Sequence, residues 1–355
     1  MQNKPRSMVW WGRFDPEYSR NRIVRQCLAE LGWRITDFQP RLSVCGDIEA
    51  RWMIAERPEL VWVPCFRQRD IAAASRWARR LGIPLLVDPL ISAYDKQIFE
   101  REKYSPTSRA AQRLLAWERD LLQRADMVLA DTAVHAAYFH DTLGVLNERL
   151  RVVPIGAEES LFVAKQKPPG TPLEIFFYGS FIELQGPKTI IEAAQRYQGP
   201  AARWHLAGSG PLLDACRSLA AGHPDIVFEP WIPYKELPAR IHRADLLLGV
   251  FGATVKAGRV IPNKVYQALA CGRPVVTLSS PAYPPELHER RDCGILWVPP
   301  ADPIALAQTV AECAEQKMQL PTLGAQARDC YERYFSMARV RSALIDALAV
   351  VCPEN

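Results

Sequence analysis

The sequence has no long apolar segment. None of the apolar runs in its 355 residues approaches the roughly 18 residues that a membrane-spanning helix needs, so we expect no spanning helix. Residues 1–7 form a short polar segment that lacks the apolar core of a signal peptide. Together, these absences predict a cytoplasmic protein.

Cysteine and histidine patterns for metal binding are also missing. The nine cysteines are never closer than 17 positions, so the chain has no C-x-x-C pair, and the six histidines are scattered. Close spacing of ligands is what marks a zinc site or a disulfide framework in a sequence. We therefore predict free thiols and no metal site.

Charge of one sign is not concentrated anywhere. The net charge is +5, with 24 basic and 21 acidic residues up to position 160 and 20 and 18 beyond it. A nucleic-acid-binding domain would gather its excess into one patch, so we exclude that class of partner. The 48% apolar and 23% charged residues are typical of a globular protein, and the length favours two domains.

Apolar runs alternate with helical patterns along the whole chain. In the first part, strand-like runs cover 9–11, 34–38, 60–63, 85–87 and 127–130, and helical spacing covers 21–31, 70–81 and 108–124. In the second part, strand-like runs cover 174–178, 203–207, 226–228, 245–250 and 274–278, and helical spacing covers 188–197, 234–243, 262–271, 302–316 and 336–351. Continuous apolar runs linked by helices predict parallel sheets covered on both faces, which is an α/β fold.

A polar segment rich in proline and glycine interrupts the alternation at 158–172 and is the best linker in the chain. It predicts a first domain over 1–160 and a second over 173–335, with a C-terminal helix over 336–355. Such a pair of parallel sheets would face each other across a cleft, and ligands of these sheets bind beyond the strand ends.

The loop that enters the helix at 262–271 carries three cations. Lys256, Arg259 and Lys264 surround a helix start that we place at Pro262, a favourable first residue. Because a helix N-terminus already attracts anions, positive charge there indicates a bound phosphate or diphosphate. The alternative is a solvated surface loop. The other residues that we expect in this site are Phe251, Gly252, Thr254 and Asn263.

Glycine follows two successive strands of the second domain. Gly179 with Ser180, and Gly208 with Gly210, allow a ligand to approach the backbone closely or supply the positive φ of a tight turn. Trp231 follows the next strand and could pack on a nucleotide base or belong to the core.

Polar residues also cluster at three strand ends of the first domain. The positions that we expect to bind there are Gly12, Asp15, Arg20, Asn21, Arg22, Asp88, Ser92, Tyr94, Asp95, Asp131 and Thr132. Asp88 precedes a proline and is held extended at the end of an apolar strand, which favours a carboxylate that holds hydroxyls or acts as a base. Asp131 and Thr132 are equally candidates for a helix N-cap.

These pieces, in their order and spacing, resemble the glycosyltransferases of family 4. The resemblance covers nearly the whole chain and is strongest over 177–276, through Tyr-Gly-Ser at 178–180, His-Leu-Ala-Gly-Ser-Gly-Pro at 205–211, Pro-Asn-Lys at 262–264 and Leu-Ala-Cys-Gly-Arg-Pro-Val-Val at 269–276. It implies the GT-B fold of two Rossmann-like domains. In that fold, the second domain binds a sugar nucleotide, the first binds the acceptor, and the C-terminal helix crosses back to the first domain.

The sequence departs from the family pattern in two places. The family's paired glutamates, separated by seven residues, are matched by Arg259 and Gln267, and its usual basic pair is matched by Ser180 and Gln185. We infer that the phosphate-binding role has moved to the loop 256–264. Gln267 can still hydrogen-bond a ribose hydroxyl as a neutral partner.

The resemblance implies transfer of a sugar from a nucleotide diphosphate, UDP- or GDP-linked, to an acceptor hydroxyl in bacterial polysaccharide or glycoconjugate biosynthesis. It implies retention of anomeric configuration. No metal or other cofactor is needed if Lys256, Arg259 and Lys264 stabilise the leaving diphosphate, and we expect Asp88 and Asp95 to orient hydroxyls. The alternatives are a catalytically inert nucleotide- or glycan-binding partner of an active transferase, and a sugar-nucleotide epimerase.

A lipid-linked acceptor would bring the protein to the inner membrane surface. The stretch 100–124, which we predict to be one long helix, carries six cations. We interpret it as a solvated helix face, with contact to anionic lipid as the alternative.

Overall fold

The computed structural model describes residues 6–101 and 103–353. The chain divides into two units, one comprising the chain up to Ile155 together with the segment from Met337, and the other Gly156–Ser336. Each unit contains one six-stranded sheet, and every strand pairing in both sheets is parallel. The predicted α/β class with two parallel sheets is therefore confirmed.

The sheet of the first unit has the order β2-β1-β3-β4-β5-β6. Its strands are β1 (Ser7–Trp11), β2 (Arg34–Phe38), β3 (Leu60–Val63), β4 (Leu85–Val87), β5 (Met127–Ala130) and β6 (Leu150–Val152). Every residue of the inner strands β3, β4 and β5 is buried, as expected where helices cover both faces of a sheet. The sequence patterns did not identify β6.

In the part of the chain that the structure describes, six α-helices and the C-terminal helix belong to this unit. They are α1 (Ser19–Glu30), α2 (Gly46–Met53), α3 (Ile71–Leu81), α4 (Ala93–Asp95), α5 (Arg109–Leu122), α6 (Ala133–Asp141) and α14 (Met337–Val351). The apolar side of α14 joins the core under α1: Val340 and Leu344 are fully buried in one cluster with Ile23 and Val24. The last helix of the chain thus completes the core of the first unit.

The sheet of the second unit has the order β12-β11-β10-β7-β8-β9. Its strands are β7 (Leu173–Ser180), β8 (Ala202–Ser209), β9 (Ile226–Glu229), β10 (Leu246–Leu248), β11 (Val275–Leu278) and β12 (Ile295–Val298). Its helices are α7 (Pro187–Arg196), α8 (Leu213–Leu219), α9 (Leu237–Arg243), α10 (Asn263–Ala270), α11 (Pro285–Glu289), α12 (Pro303–Glu315) and α13 (Leu320–Tyr334). Because the strands are parallel, all of their C-terminal ends, and the loops that follow, lie at one edge of the sheet.

Two sequence predictions about helices are wrong in detail. The stretch 100–124 is not one helix, because α5 begins only at Arg109, where the Ser108 hydroxyl accepts the N–H of Ala111 at 3.2 Å and forms an N-cap. Pro262 is not the first helical residue. It is the extended N-cap residue, with ψ at 147°, and α10 begins at Asn263.

Replacement of a core residue in α14 should destabilise the protein strongly. We expect Leu344→Ala to lower the free energy of unfolding by about 3 kcal/mol, because it leaves a cavity in a fully buried cluster. The neighbouring Ile345 is 47% exposed, so Ile345→Ala should cost no more than about 0.5 kcal/mol. Denaturant unfolding measures both, and equal effects would show that α14 does not pack as described.

Candidate functional site

The C-terminal edge of the second sheet is kept free of side chains where β7 and β8 end. A Cβ at Gly208, which has φ at 142°, would lie 1.9 Å from the carbonyl oxygen of Gly179. A Cβ at Gly210 would lie 2.7 Å from the backbone of Phe181. Glycine is therefore required at both positions, because the backbone at each lies against neighbouring backbone.

The loop after β10 is fixed to the loop after β7. The N–H groups of Phe251 and Gly252 donate to the carbonyls of Gln185 and Leu184, each at 3.2 Å. A Cβ at Gly252 would lie 2.3 Å from the Glu183 carbonyl, so only glycine permits this approach. The side chain of Phe251 is fully buried in the core, so its contribution to the site is through its backbone.

A short 3₁₀ turn at Val255–Gly258 contains Lys256, and Arg259 follows it as the C-cap residue. The Thr254 hydroxyl caps the turn by accepting the N–H of Ala257 at 3.3 Å. The Ser280 hydroxyl donates to the Gly258 carbonyl at 2.8 Å. Lys256 is 4% exposed, and Arg259 is half-buried.

The side chain of Lys264, in the first turn of α10, reaches back to the end of β7. Its Nζ donates to Gln185 Oε1 at 2.5 Å and lies 3.8 Å from the centroid of the Phe177 ring. A Cβ at Gly179 would lie 3.0 Å from the same nitrogen. The ammonium therefore occupies the corner formed by the end of β7, the turn at Glu183–Gln185 and the start of α10.

The electrostatics of Lys264 are unfavourable in the absence of an anion. The residue is 5% exposed, and no carboxylate of the described residues lies within ion-pair distance of its ammonium. Burial lowers the pKa of Lys264 well below its ordinary value, because removal from water disfavours the charged form. The first N–H groups of α10, which lack intrahelical partners, add positive potential at the same place.

Tyr178 and Gln267 form a second polar pair at this corner. The Tyr178 hydroxyl donates to Gln267 Oε1 at 2.6 Å, and both residues are buried. Burial raises the pKa of the Tyr178 phenol well above its ordinary value, so the phenol stays neutral and acts as the donor.

The remaining residues predicted in this site differ in exposure. Ser180 is exposed and Asn263 is half-buried. Trp231 is 62% exposed and thus belongs to no core cluster. Among the predicted positions, the structure therefore brings together Gly179, Gln185, Gly252, Lys264 and Gly208 most closely.

In the first unit, Arg20 and Asp88 form a buried ion pair. Arg20 Nε donates to Asp88 Oδ2 at 2.9 Å, and Nη1 donates to the carbonyls of Val153 and Pro154 at 2.9 and 2.7 Å. Burial raises the pKa of the Asp88 carboxyl, and the Arg20 guanidinium opposes that rise. Arg20 Nη2 is buried and has no hydrogen-bond partner among the described residues.

Asp131 pairs with a histidine that the sequence analysis did not single out. Asp131 Oδ1 lies 2.6 Å from His135 Nδ1, and both side chains are buried. The Thr132 hydroxyl accepts the His135 N–H at 3.1 Å and is the N-cap of α6. The signal for this pair was the i, i+4 spacing across a helix start.

A second unpredicted residue, Glu118, holds the turn that contains Ser92, Tyr94 and Asp95. Its carboxylate accepts the Ser92 hydroxyl at 2.7 Å and the N–H groups of Ala93 and Tyr94 at 2.6 and 2.8 Å. Burial raises the pKa of Glu118. Nothing local in the sequence marks Glu118, because it lies 26 residues beyond Ser92.

The other predicted residues of this unit lie in the loop between β1 and α1 and in the first turn of α1. The Asn21 side chain donates to the Asp15 carbonyl at 2.8 Å and accepts from Cys65 Sγ at 3.1 Å. Arg22 pairs with Glu17 at 2.7 Å. Gly12 has φ at 128°, and its N–H donates to the Phe38 carbonyl at 2.8 Å, which links the ends of β1 and β2.

Two models of protein families match the chain in succession. The glycosyl transferase 4-like domain matches residues 12–156. The glycosyl transferases group 1 domain matches residues 172–316. The two matches fall on the two sheets described above and together cover most of the chain.

Two curated proteins are similar in sequence over part of the chain. A probable glycosyltransferase, WbjE of Pseudomonas aeruginosa, is 27% identical over 195 residues, which are 52% of this chain and 46% of that protein. The D-inositol 3-phosphate glycosyltransferase of Acidothermus cellulolyticus is 26% identical over 228 residues, which are 58% and 48% of the two chains. The matched region thus spans about half of each curated relative.

Solved structures match nearly the whole chain. HepE of Anabaena in complex with UDP superposes with a TM-score of 0.71 at 14% identity and covers 97% of this chain and 99% of its own. Sucrose-phosphate synthase of Thermosynechococcus elongatus gives a TM-score of 0.73 at 18% identity and covers 96% and 98%. At these identities, the likeness establishes the fold.

Removal of the buried charge at Lys264 should stabilise the protein and reveal the lowered pKa. The folded state binds fewer protons than the unfolded state between the lowered pKa of Lys264 and its ordinary value of 10.5, so the stability of the wild type should rise with pH across that window. We expect Lys264→Met to be more stable than the wild type by about 1 kcal/mol at neutral pH. The difference should vanish above the ordinary lysine pKa.

Urea unfolding of both proteins over this pH range measures the effect. Lys188, whose side chain is 44% exposed and pairs with Glu183, provides a matched lysine. Lys188→Met should change the free energy of unfolding by no more than about 0.5 kcal/mol and leave its pH dependence unaltered. A Lys264→Met protein that is less stable at neutral pH would contradict our description of Lys264.

Loss of the Asp88 charge should be costly, because Arg20 would keep a buried charge without its close partner. We expect Asp88→Asn to lower the free energy of unfolding by about 3 kcal/mol, measured by denaturant unfolding at neutral pH. The exposed pair of Asp120 with Arg124 supplies the control, and Asp120→Asn should cost at most about 0.5 kcal/mol. If both substitutions lowered the free energy of unfolding equally, the buried charge of Arg20 would not need Asp88 as its partner.

Proposed function

The chain belongs to the family 4 glycosyltransferases with the GT-B fold, and from this premise we propose that it transfers a sugar from a nucleotide diphosphate to an acceptor hydroxyl. The observation that carries the proposal is the ammonium of Lys264, which is buried without an ion-paired carboxylate beside the glycine-lined end of β7. An anionic ligand would supply the missing charge.

Lys264 also supports a specific reassignment of the phosphate site. At the position of the family's second usual cation the chain has Gln185, which is neutral, yet Lys264 Nζ lies 2.5 Å from Gln185 Oε1. The positive charge is thus supplied from α10 rather than from the loop after β7. We propose that Lys264, assisted by Lys256 and Arg259, binds the diphosphate.

The other donor contacts follow from the same edge of the sheet. The phosphates would lie at the strand ends that carry Gly179 and Gly208. Ser180, Gly210, Thr254 and the N-terminus of α10 at Asn263 would offer hydroxyl or N–H donors. Gln267, held by Tyr178, would bind the ribose as a neutral substitute for the family's glutamate. Trp231, exposed near the end of β9, would stack on the base.

We place the acceptor on the first unit, at the C-terminal edge of its sheet. Arg20 Nη2, buried and without a partner among the described residues, is a ready donor to an acceptor oxygen. Asp88 fixes the guanidinium that offers it. The residues that we propose around the acceptor are Gly12, Asp15, Asn21, Arg22, Ser92, Tyr94, Asp95, Asp131 and Thr132.

In the proposed reaction, the bond between the anomeric carbon and the diphosphate oxygen breaks, and a bond from that carbon to the acceptor oxygen forms. The acceptor proton passes to the leaving nucleotide diphosphate. Negative charge builds on that diphosphate as the first bond breaks, so prepositioned cations and helix N–H groups lower the barrier. We propose retention of anomeric configuration, as in the family, and no requirement for a divalent metal.

The acceptor is a glycan or a lipid-linked glycan, in bacterial polysaccharide or glycoconjugate biosynthesis. UDP is the first nucleotide to test, because HepE, which shares this fold, has been crystallised with UDP and with UDP-glucose. GDP is the next. The substituted glutamate pair at Arg259 and Gln267 favours one alternative, a protein that binds a nucleotide or glycan without catalysing transfer.

Nucleotide binding provides the direct test of the donor site. In isothermal titration with UDP, GDP, ADP and CMP, we expect one nucleoside diphosphate to bind the wild type. Its affinity should fall at least about tenfold in Lys264→Met, and also in the double variant Lys256→Ala with Arg259→Ala, because each loses charge-assisted hydrogen bonds. Lys188→Met is the control and should bind like the wild type. If no nucleotide binds the wild type, there is no donor site.

An assay of nucleotide release from sugar nucleotides that carry the bound nucleotide then distinguishes the three candidate functions. Release with transfer to an acceptor supports the transferase, binding without release supports the inert partner, and conversion of the free sugar nucleotide without acceptor supports an epimerase. The anomeric configuration of the product, read by NMR, tests retention. A rate unchanged by EDTA is expected if no metal is required.

A further inference from the structure

The segment 42–53 of the first unit exposes large apolar side chains, although most of the unit's large apolar residues are buried. The exposed fractions are 63% for Leu42, 69% for Val44, 55% for Ile48, 87% for Trp52 and 63% for Met53. We call these five residues the 42–53 surface. Single exposed apolar residues are ordinary on proteins, but a contiguous group marks an interaction site.

The packing of α2 imposes this exposure. Gly46 and Ala50 face the core: Ala50 is fully buried in the cluster with Trp11, and a Cβ at Gly46 would lie 3.0 Å from Trp11 Cζ2 and 3.1 Å from Pro40. Ile48 and Trp52, one turn apart, therefore share an outward face. The small residues pack inward and the large ones point outward, so rotation of the helix to bury Trp52 would bring a large side chain into a space sized for alanine.

Arginines border this surface. Two of them, Arg41 and Arg51, lie within or next to the segment and are exposed. Three others contact its backbone or its ends: Arg13 donates to the Pro40 carbonyl, Arg76 to the Val44 carbonyl, and Arg67 to the Ser43 hydroxyl. The carboxylates that face these groups are Asp47, held by Arg76, Asp70, held by Arg67, and Glu49, which accepts the Arg41 N–H. Five arginines against three carboxylates leave an excess of positive charge.

Apolar side chains with an arginine border fit an anionic lipid surface better than a second copy of the chain. A two-fold symmetric dimer through this surface would bring two arginine-rich borders together, which like-charge repulsion disfavours. An anionic bilayer instead offers phosphates to the arginines and an acyl boundary to the apolar side chains. Tryptophan, with an apolar ring and one N–H, is suited to that boundary.

We propose that the 42–53 surface docks the protein on an anionic lipid bilayer, with Trp52 and Ile48 entering the interface and the arginines contacting headgroups. In the described part of the chain, no helix combines the length and hydrophobicity needed to cross a bilayer. The docking is therefore peripheral. The proposal rests on this surface alone and does not depend on the donor site.

Co-sedimentation with lipid vesicles tests the proposal on the full chain. Wild type should sediment with vesicles of equal parts phosphatidylcholine and phosphatidylglycerol, more weakly in high salt, and weakly with phosphatidylcholine alone. The double variant Ile48→Ser with Trp52→Ser should lose at least about tenfold in vesicle affinity. A double variant Arg41→Gln with Arg51→Gln should reduce binding to the mixed vesicles only.

Met318, at 75% exposure, and Ile304, at 57%, lie outside this surface, and the double variant Ile304→Ser with Met318→Ser is the matched control that should bind vesicles like the wild type. Light scattering after size exclusion distinguishes a dimer. If the wild type does not bind anionic vesicles, if Ile48→Ser with Trp52→Ser binds them equally well, or if that variant turns a dimeric wild type into monomers, the proposal is overturned. The nucleotide affinity of the same variant should be unchanged, so this test and the test of the proposed donor site can fail independently.

Discussion

The donor site that we propose in the second unit depends on one buried ammonium. Lys264 lies against an amide oxygen and an aromatic ring, with the first turn of its own helix adding positive potential. A Cβ at Gly179 would crowd its nitrogen, and Gln185 gives it an acceptor but no neutralising charge. Without a negative charge nearby, this arrangement places a buried positive charge in an electrostatically unfavourable position. These features become consistent if an anion binds at this corner, because a negative charge there would favour the charged form of Lys264.

The buried cations of the two units differ in how their charge is balanced. In the first unit, Arg20 is balanced by Asp88 and by two carbonyls, so most of its hydrogen-bonding capacity is used inside the protein. In the second unit, Lys264 has no such carboxylate. An ion pair whose charges balance orients a group without requiring a charged ligand, whereas an uncompensated cation favours an anion. This contrast is why we assign diphosphate binding to the second unit and positioning of an acceptor to the first.

Local patterns predicted most of the fold, and contacts between distant residues limited what could be predicted of the site. The buried strands and the long helices were recognised because their apolar periodicity is local. The helical spacing from 108 predicted the start of α5, whereas the extension of that helix back to 100, which followed the charge pattern, was wrong. Lys264 was predicted to bind phosphate, but its position beside Gln185 depends on a contact across 79 residues. The pairing of Arg20 with Asp88 likewise spans 68 residues, and no spacing rule reaches that far.

The 42–53 surface shows why periodicity alone can assign a helix face wrongly. In α2, Ile48 and Trp52 fall on one helical stripe, which by pattern would be directed to the core. The core instead accepts Gly46 and Ala50, because the neighbouring Trp11 and Pro40 leave room only for small side chains. Size at the buried positions, rather than hydrophobicity at the exposed ones, decides the orientation of the helix. The even spread of charge along the sequence hides the local excess of arginine in the same way, since the residues that border this surface come from four separate segments of the chain.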